Sequence, residues 1–309
     1  MNKQGYDLIG DIHGHAEELI KLLEKMDYQE SVNGYCHDNR KIIFLGDLID
    51  GPEHLRQHEK LLDIVMTMVN NGHALAVMGN HEFNALAFHT PHEGNYLREH
   101  TTKNIDQHQA FLNEFETRPE RKQEILDFFY SLPLWLELDG LRVIHACWDD
   151  QHIEHIKSVA PNKLLTEELL IEASKEGTKT YTAIETLLKG FEIDLPNGIS
   201  FKDKKGHERT AVRTQWWKNK ASTLGEVALP FGIDIGDAHN HPIHSVNIPS
   251  YAKDNPPCFV GHYWLNGDPS PLTDNVACLD YSIAKGGKLV SYQWDGESVL
   301  LKDKFMYLE

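Results

Sequence analysis

The chain has 309 residues, 40% of them hydrophobic and 25% charged, enough for one large α/β domain carrying insertions. Its formal charge of −17 argues against non-specific binding to DNA, RNA or an anionic membrane, each of which rewards a basic face. An anionic substrate stays open, because bound metal ions can invert the local field.

Four cysteines, Cys36, Cys147, Cys258 and Cys278, are widely spaced with no C-x-x-C pair. They argue against a disulfide framework or a structural zinc site and fit a reducing compartment. The polar start Met1-Asn2-Lys3-Gln4 carries no secretory signal, and nothing approaches the ~18–20 uninterrupted apolar residues of a membrane span. The expectation is a cytoplasmic protein.

Residues 6–9 read as a short buried strand closing at Gly10, and Leu19, Ile20, Leu22, Leu23 and Met26 then follow helical spacing. Residues 41–45 form a second strand ending at Gly46. Residues 61–69 form an amphipathic helix that Asn71-Gly72 stops, and 74–78 a third strand ending at Gly79. This alternation predicts a sheet flanked by helices.

Residues 85–134 are charged and rich in histidine, and read as loop followed by helices. Residues 134–143 have strand character around the Asp139-Gly140 turn. Residues 162–188 are helical, and 194–205 are a loop containing Pro196-Asn197-Gly198 and running into Lys204-Lys205-Gly206. Strands are predicted again at 258–260, 275–279, 288–294 and 298–302. The organisation is a single domain over 1–309, with helical inserts at about 85–134 and 150–210.

One pattern repeats: strand, glycine, ligand. Gly10-Asp11-Ile12-His13-Gly14 follows the first strand, Gly46-Asp47-Leu48-Ile49-Asp50 the second, and Gly79-Asn80-His81-Glu82 the third. His145 and His262 end two later strands. In α/β sheets, ligands gather beyond the carboxyl ends of strands. Asp11 and His13 leave one tight turn and can face a single ion. The Asp47 carboxylate can share its oxygens between two ions about 3.5–4 Å apart, the spacing of two-metal hydrolytic sites.

These three blocks, in this order, resemble the signature of the calcineurin-like metallophosphoesterases. More narrowly they are similar to its phosphoprotein-phosphatase branch, which includes bacterial Ser/Thr phosphatases and diadenosine-tetraphosphate hydrolases. Val143-Ile144-His145-Ala146, Val260-Gly261-His262 and Leu279-Asp280 with Gly286-Gly287-Lys288-Leu289 extend the likeness. The resemblance implies a four-layer αββα sandwich of two mixed sheets. It implies one divalent ion on Asp11, His13 and Asp47, and a second on Asp47, Asn80, His145 and His262. The mixed oxygen and imidazole set suits manganese, iron or zinc. Hydrolysis of a phosphate ester by a metal-bridging hydroxide follows, with His81 as general acid and Asp50 orienting it. Glu82 reads as loop support.

The branch places an arginine directly after the residue matched by Asp50, and here that place holds Gly51. Phosphate is then left to Arg213, Arg209 or Arg56, since a guanidinium matches its geometry. The missing arginine weakens a phosphoprotein substrate more than phosphate-ester hydrolysis as such. Substrates consistent with the pattern are a phosphorylated small molecule, a nucleotide or a phosphoprotein. A dinucleoside polyphosphate hydrolase is the alternative enzyme, and a metal- and phosphate-binding module with weakened catalysis the alternative outside enzymes. His89, His92 and His100 are expected to be solvent-exposed, residues 237–242 a loop outside the ligand set, Trp216 and Trp217 core or cleft wall, and Cys147 a buried strand residue.

Overall fold

The computed structural model describes residues 4–196, 198–202, 208–218, 220–244 and 246–308. Strand Gly5–Ile9 pairs in parallel with Arg40–Phe44, with Ile9 opposite Phe44, and antiparallel with Lys288–Trp294. Arg40–Phe44 pairs in parallel with Ala74–Ala76, while Asp280–Tyr281 and Phe305–Tyr307 both join Lys288–Trp294. Leu8, Ile9, Ile42, Ile43 and Phe44 are fully buried, as near-continuous apolar runs in covered parallel strands must be. Helices Ala16–Lys25 and His58–Asn70 cover this sheet with apolar faces at three- and four-residue spacing, Leu19, Leu22 and Leu23 on one, Leu61, Leu62, Val65 and Met68 on the other.

The second sheet is also mixed. Trp135–Leu138 turns back antiparallel to Leu141–Ile144, which pairs in parallel with Cys258–Val260, and that strand with Val276–Cys278. Phe259 of this sheet packs on Tyr292 of the first, ring centroids 5.0 Å apart, so the two sheets face each other. This is the mixed two-sheet architecture expected.

The first insert is helical from its start: Asn80–His89, then Thr102–Phe115 and Pro119–Ser131. The third block therefore opens a helix instead of preceding a loop. Asp150–Val159, Glu167–Ala173 and Lys179–Lys189 begin on side-chain caps from Asp149, Thr166 and Thr178. Helix ends there, short of residue 210. Glu192–Asp194, Ala211–Thr214 and Ala228–Leu229 form a three-stranded sheet with its own core of Ile193, Val212, Leu224, Val227, Ala238 and Ile243. In the expected loop, Phe201–Lys202 pairs with Glu208–Arg209, while Asn197 and Lys204-Lys205-Gly206 lie outside the described residues. Residues 298–302 are not a strand either. Leu301 donates its amide to the Tyr292 hydroxyl, and pairing resumes only at Phe305–Tyr307.

Beneath the first sheet, the fully buried Asp7 carboxylate accepts from Arg40 Nε at 2.9 and 2.8 Å and from the Tyr28 hydroxyl at 2.8 Å. Arg40 also bonds Asp295 and the Tyr6 and Trp294 carbonyls, joining three strands of the sheet. Removing one partner of a buried ion pair leaves an uncompensated charge. Arg40→Ala is therefore expected to lower unfolding free energy by about 3–5 kcal/mol, read from chemical denaturation.

Candidate metal centre

Asp11 and His13 follow Gly5–Ile9, Asp47 follows Arg40–Phe44, His145 follows Leu141–Ile144, and His262 follows Cys258–Val260. Asn80 and His81 begin helix Asn80–His89. All are buried, and they converge where the carboxyl ends of both sheets meet. His13, Asp47, Asp50 and His262 have φ between 47 and 70°. Non-glycine residues held there cost about 1–3 kcal/mol each and concentrate at functional sites. Gly79 and Gly261 are required by close approach: a Cβ on the first would overlap Asp47, and one on the second would overlap Asp11.

Asp47 is the hub. His13 Nε2 and His81 Nε2 each lie 3.9 Å from its Oδ2, and His145 Nε2 lies 3.3 Å from its Oδ1. His145 Nε2 is 3.2 Å and His262 Nδ1 2.6 Å from Asn80 Oδ1. Asp11 Oδ2 is 4.0 Å from His13 Nε2, and both its oxygens accept the His262 amide. Among the described residues two three-residue groups offer mutually close donor atoms, His13–Asp47–His81 and Asp47–His145–His262, and Asp47 belongs to both.

Backbone carbonyls orient two of the rings. His13 Nδ1 donates to Ile49 O at 2.9 Å and His145 Nδ1 to Leu45 O at 2.7 Å, which turns each Nε2 lone pair toward the carboxylates. His262 Nε2 is buried with no hydrogen-bond partner. Lone pairs aimed at carboxylate and amide oxygens, with an orphaned buried ring nitrogen beside them, fit cations bound among these residues.

Charge follows the same layout. Burial, then Asp280 and Asp47, push the Asp11 carboxyl well above its usual range. Burial opposes Asp47, yet His145, His81 and His13 hold it well below. Burial, then the Arg213 and His145 charges, push His262 well below the ordinary imidazole range. His13 and His81 are equally distant from Asp47 but diverge. Burial and the neighbouring His81 take His13 down to about 4, whereas Asp47 and Asp50 overcome burial and raise His81 to about 9. The difference is the partner of Nδ1: a neutral carbonyl for His13, the Asp50 carboxylate at 2.6 Å for His81. Near neutral pH these environments favour an uncharged His13 and a protonated His81.

Glu82 accepts the amides of Asp47, Leu48 and Gly79 at 2.8–2.9 Å, tying the second block to the third. Three contributors escaped sequence reasoning. His108 donates to the second oxygen of Asp50 at 2.8 Å, and His58 Nε2 lies 3.0 Å from the Asp50 carbonyl. Asp280 accepts the amides of Trp264 and Ser282 and faces Asp11. His89 is half-buried, 3.2 Å from His108, against the expectation of exposure.

The arginines separate. Arg213 lies near enough to His262 to depress its basicity and pairs with Glu192 at 3.3 Å. Arg209 is exposed on the small hairpin. Arg56 turns to the Glu53 and Leu55 carbonyls and lines a different cavity of about 480 Å³ with Tyr35, Lys60 and Glu114. Trp216 and Trp217 are buried, Trp216 Nε1 donating to Ala146 O at 3.1 Å. Cys147 is buried.

The family model for calcineurin-like phosphoesterases matches residues 7–225. A bis(5'-nucleosyl)-tetraphosphatase PrpE [asymmetrical] of Oceanobacillus iheyensis is 33% identical over 143 residues, 45% of this chain and 54% of that protein. A protein of the same name from Geobacillus thermodenitrificans is 30% identical over 181 residues, 56% of this chain and 69% of that one. The chain thus spans about half the length of most curated relatives it matches. Among solved structures, a protein serine/threonine phosphatase from Saccharomyces cerevisiae superposes with a TM-score of 0.52 at 12% identity, covering 100% of this chain and 81% of that one. A cold-active protein-tyrosine phosphatase of a psychrophilic Shewanella gives 0.50 at 16%, covering 99% and 80%. At such identities the likeness is one of fold.

The Glu82 bonds yield a test. Glu82→Ala leaves three buried amides without their acceptor, and is expected to cost at least about 1.5–3 kcal/mol by denaturation and to weaken Mn²⁺ binding measured by calorimetry.

Proposed function

The chain belongs to the calcineurin-like phosphoesterase family, and on that premise we propose that it hydrolyses phosphate esters or anhydrides with two divalent cations held about Asp47. The observation that carries this is the Asp47 carboxylate shared between His13, which Asp11 approaches to 4.0 Å, on one side and His145 with His262 on the other. Asp11, His13 and Asp47 would hold one cation, and Asp47, Asn80, His145 and His262 the other. The donor set suits manganese, with iron or zinc as alternatives. Such cations, when bound, supply a hydrolytic nucleophile at neutral pH and neutralise phosphoryl oxygens for in-line attack.

The chain's own groups supply the rest. His81, protonated and anchored by Asp50 through Nδ1, presents Nε2–H toward the centre and gives that proton to the leaving oxygen. Asp50 keeps the ring in one orientation and stays ionised, because His108 and His81 outweigh its burial. Arg213, nearest the His262 side, is the first choice for gripping phosphate, ahead of the exposed Arg209, while Arg56 faces a different cavity. That His81 and Asp50 are both in place argues for catalysis over mere metal retention.

A dinucleoside polyphosphate is the substrate class favoured over a phosphoprotein. The relatives above carry tetraphosphatase names. Trp264 adds a local reason: two residues past His262, it is 49% exposed at φ 52°, with Lys285 over its ring. An exposed aromatic face beside a phosphate centre can stack a base. Among the described residues no helix is long and apolar enough to cross a membrane. The four free cysteines fit a reducing compartment.

With added Mn²⁺, the protein should hydrolyse both p-nitrophenyl phosphate and an unactivated alkyl phosphate. Asp47→Asn should abolish both activities. His81→Ala should cost about 10²–10⁴-fold on the alkyl ester, whose poor leaving group needs the acid. Unchanged rates in both variants contradict the mechanism. A second assay, chromatography of products from a dinucleoside tetraphosphate and a phosphopeptide, should show turnover of the nucleotide and little of the peptide.

A further inference from the structure

The general acid His81 is one end of a longer chain of buried groups. Its Nδ1 lies 2.6 Å from Asp50 Oδ2, and Asp50 Oδ1 lies 2.8 Å from Nδ1 of His108, 58 residues away on helix Thr102–Phe115. An ionised carboxylate only accepts, so both imidazoles must carry N–H at Nδ1. His108 Nε2 in turn meets His89 Nε2 at 3.2 Å, a spacing at which only one nitrogen carries a proton. The His108 ring is buried, stacked on Phe111 at 4.7 Å and beside Phe88 at 5.1 Å. These neighbours hold the ring in plane.

The same helix reaches Asp50 by a second route. Glu114 accepts the His58 and Glu59 amides and lies 2.8 Å from His58 Nδ1, while His58 Nε2 lies 3.0 Å from the Asp50 carbonyl. Asp50 itself sits at φ 67°, a conformation it would not keep unaided. Both its carboxylate and its backbone are therefore gripped from the insert.

We propose that His108 is a positioning residue for the general acid, completing a His81–Asp50–His108 triad in which the insert helix locks the Asp50 carboxylate. The inference rests on the hydrolase reading above. A carboxylate bonded at one oxygen can rotate about its last torsion; bonded at both, it holds His81 Nε2–H on the leaving oxygen. His108 touches neither substrate nor cation and acts only through Asp50.

The test compares His108→Phe, which suits the surrounding Phe88 and Phe111, with His108→Asn, whose amide N–H can replace Nδ1–H. In the Mn²⁺-loaded protein, His108→Phe is expected to lower kcat on an alkyl phosphate by roughly 10²-fold, the scale of misplacing a catalytic group. Its kcat on p-nitrophenyl phosphate, which needs no acid, and both KM values should stay within about threefold. His108→Asn should regain most of the loss. Equal losses on both substrates, no loss on the alkyl ester, or an Asn variant no better than Phe would overturn the proposal. Imidazole N–H resonances of the zinc-loaded protein read the triad without turnover. The signals assigned to Nδ1–H of His81 and of His108 should both be strongly hydrogen-bonded, and His108→Phe should remove the second and shift the first. Wild-type protein that shows both of these assigned signals but turns over neither ester sinks the hydrolase reading, whereas absence of either one in the wild type sinks the triad.

Discussion

The whole centre depends on one buried carboxylate. Asp47 sits where the ends of two sheets meet, with imidazoles of His13, His81 and His145 within 3.9 Å of its oxygens. An isolated charge in that place would be far too costly to keep. Ring nitrogens of the three histidines and the His81 amide, bonded at 2.9 Å, make it tolerable. Cations bound there would complete the compensation and also relieve the crowding of carboxyls, since burial, Asp280 and Asp47 push Asp11 upward, and burial and Asp47 push Asp280 upward.

From that centre outward, the fold divides its labour. The sheets bring five strand ends together and hold ligands rigidly, because backbone carbonyls, and not mobile side chains, orient His13 and His145. In the proposed mechanism the first insert serves the proton. It supplies His108 and, through Glu114 and His58, a second hold on Asp50. The unit built on residues 192–243 serves phosphate in this account, since it carries Arg213 to the His262 side. In the proposed mechanism, metal, proton and phosphate are thus handled by three separate parts of the chain.

How much of this is legible in the sequence follows from how local each interaction is. Strand, glycine and ligand are adjacent residues, so Asp11, His13, Asp47, Asn80, His145 and His262 can be picked out and found together. Glu82 as loop support is legible for the same reason. His108 is not: its contact with Asp50 spans 58 positions and depends on how a helical insert folds back, which no local pattern encodes. His89 looks like one more exposed histidine until the helix Asn80–His89 turns it against His108. The small sheet over 192–229 escapes because its strands are two to four residues long, too short for alternation to register. Arg56 illustrates the converse error of judging reach by sequence spacing, for its guanidinium turns to local carbonyls instead.

The most direct test of the central claim is anomalous diffraction from crystals of the Mn²⁺-loaded protein. Two peaks about 3.5–4 Å apart, one on each side of the Asp47 carboxylate and both lost in Asp47→Asn, are what this account predicts. A single ion, or two ions that do not share Asp47, would contradict it.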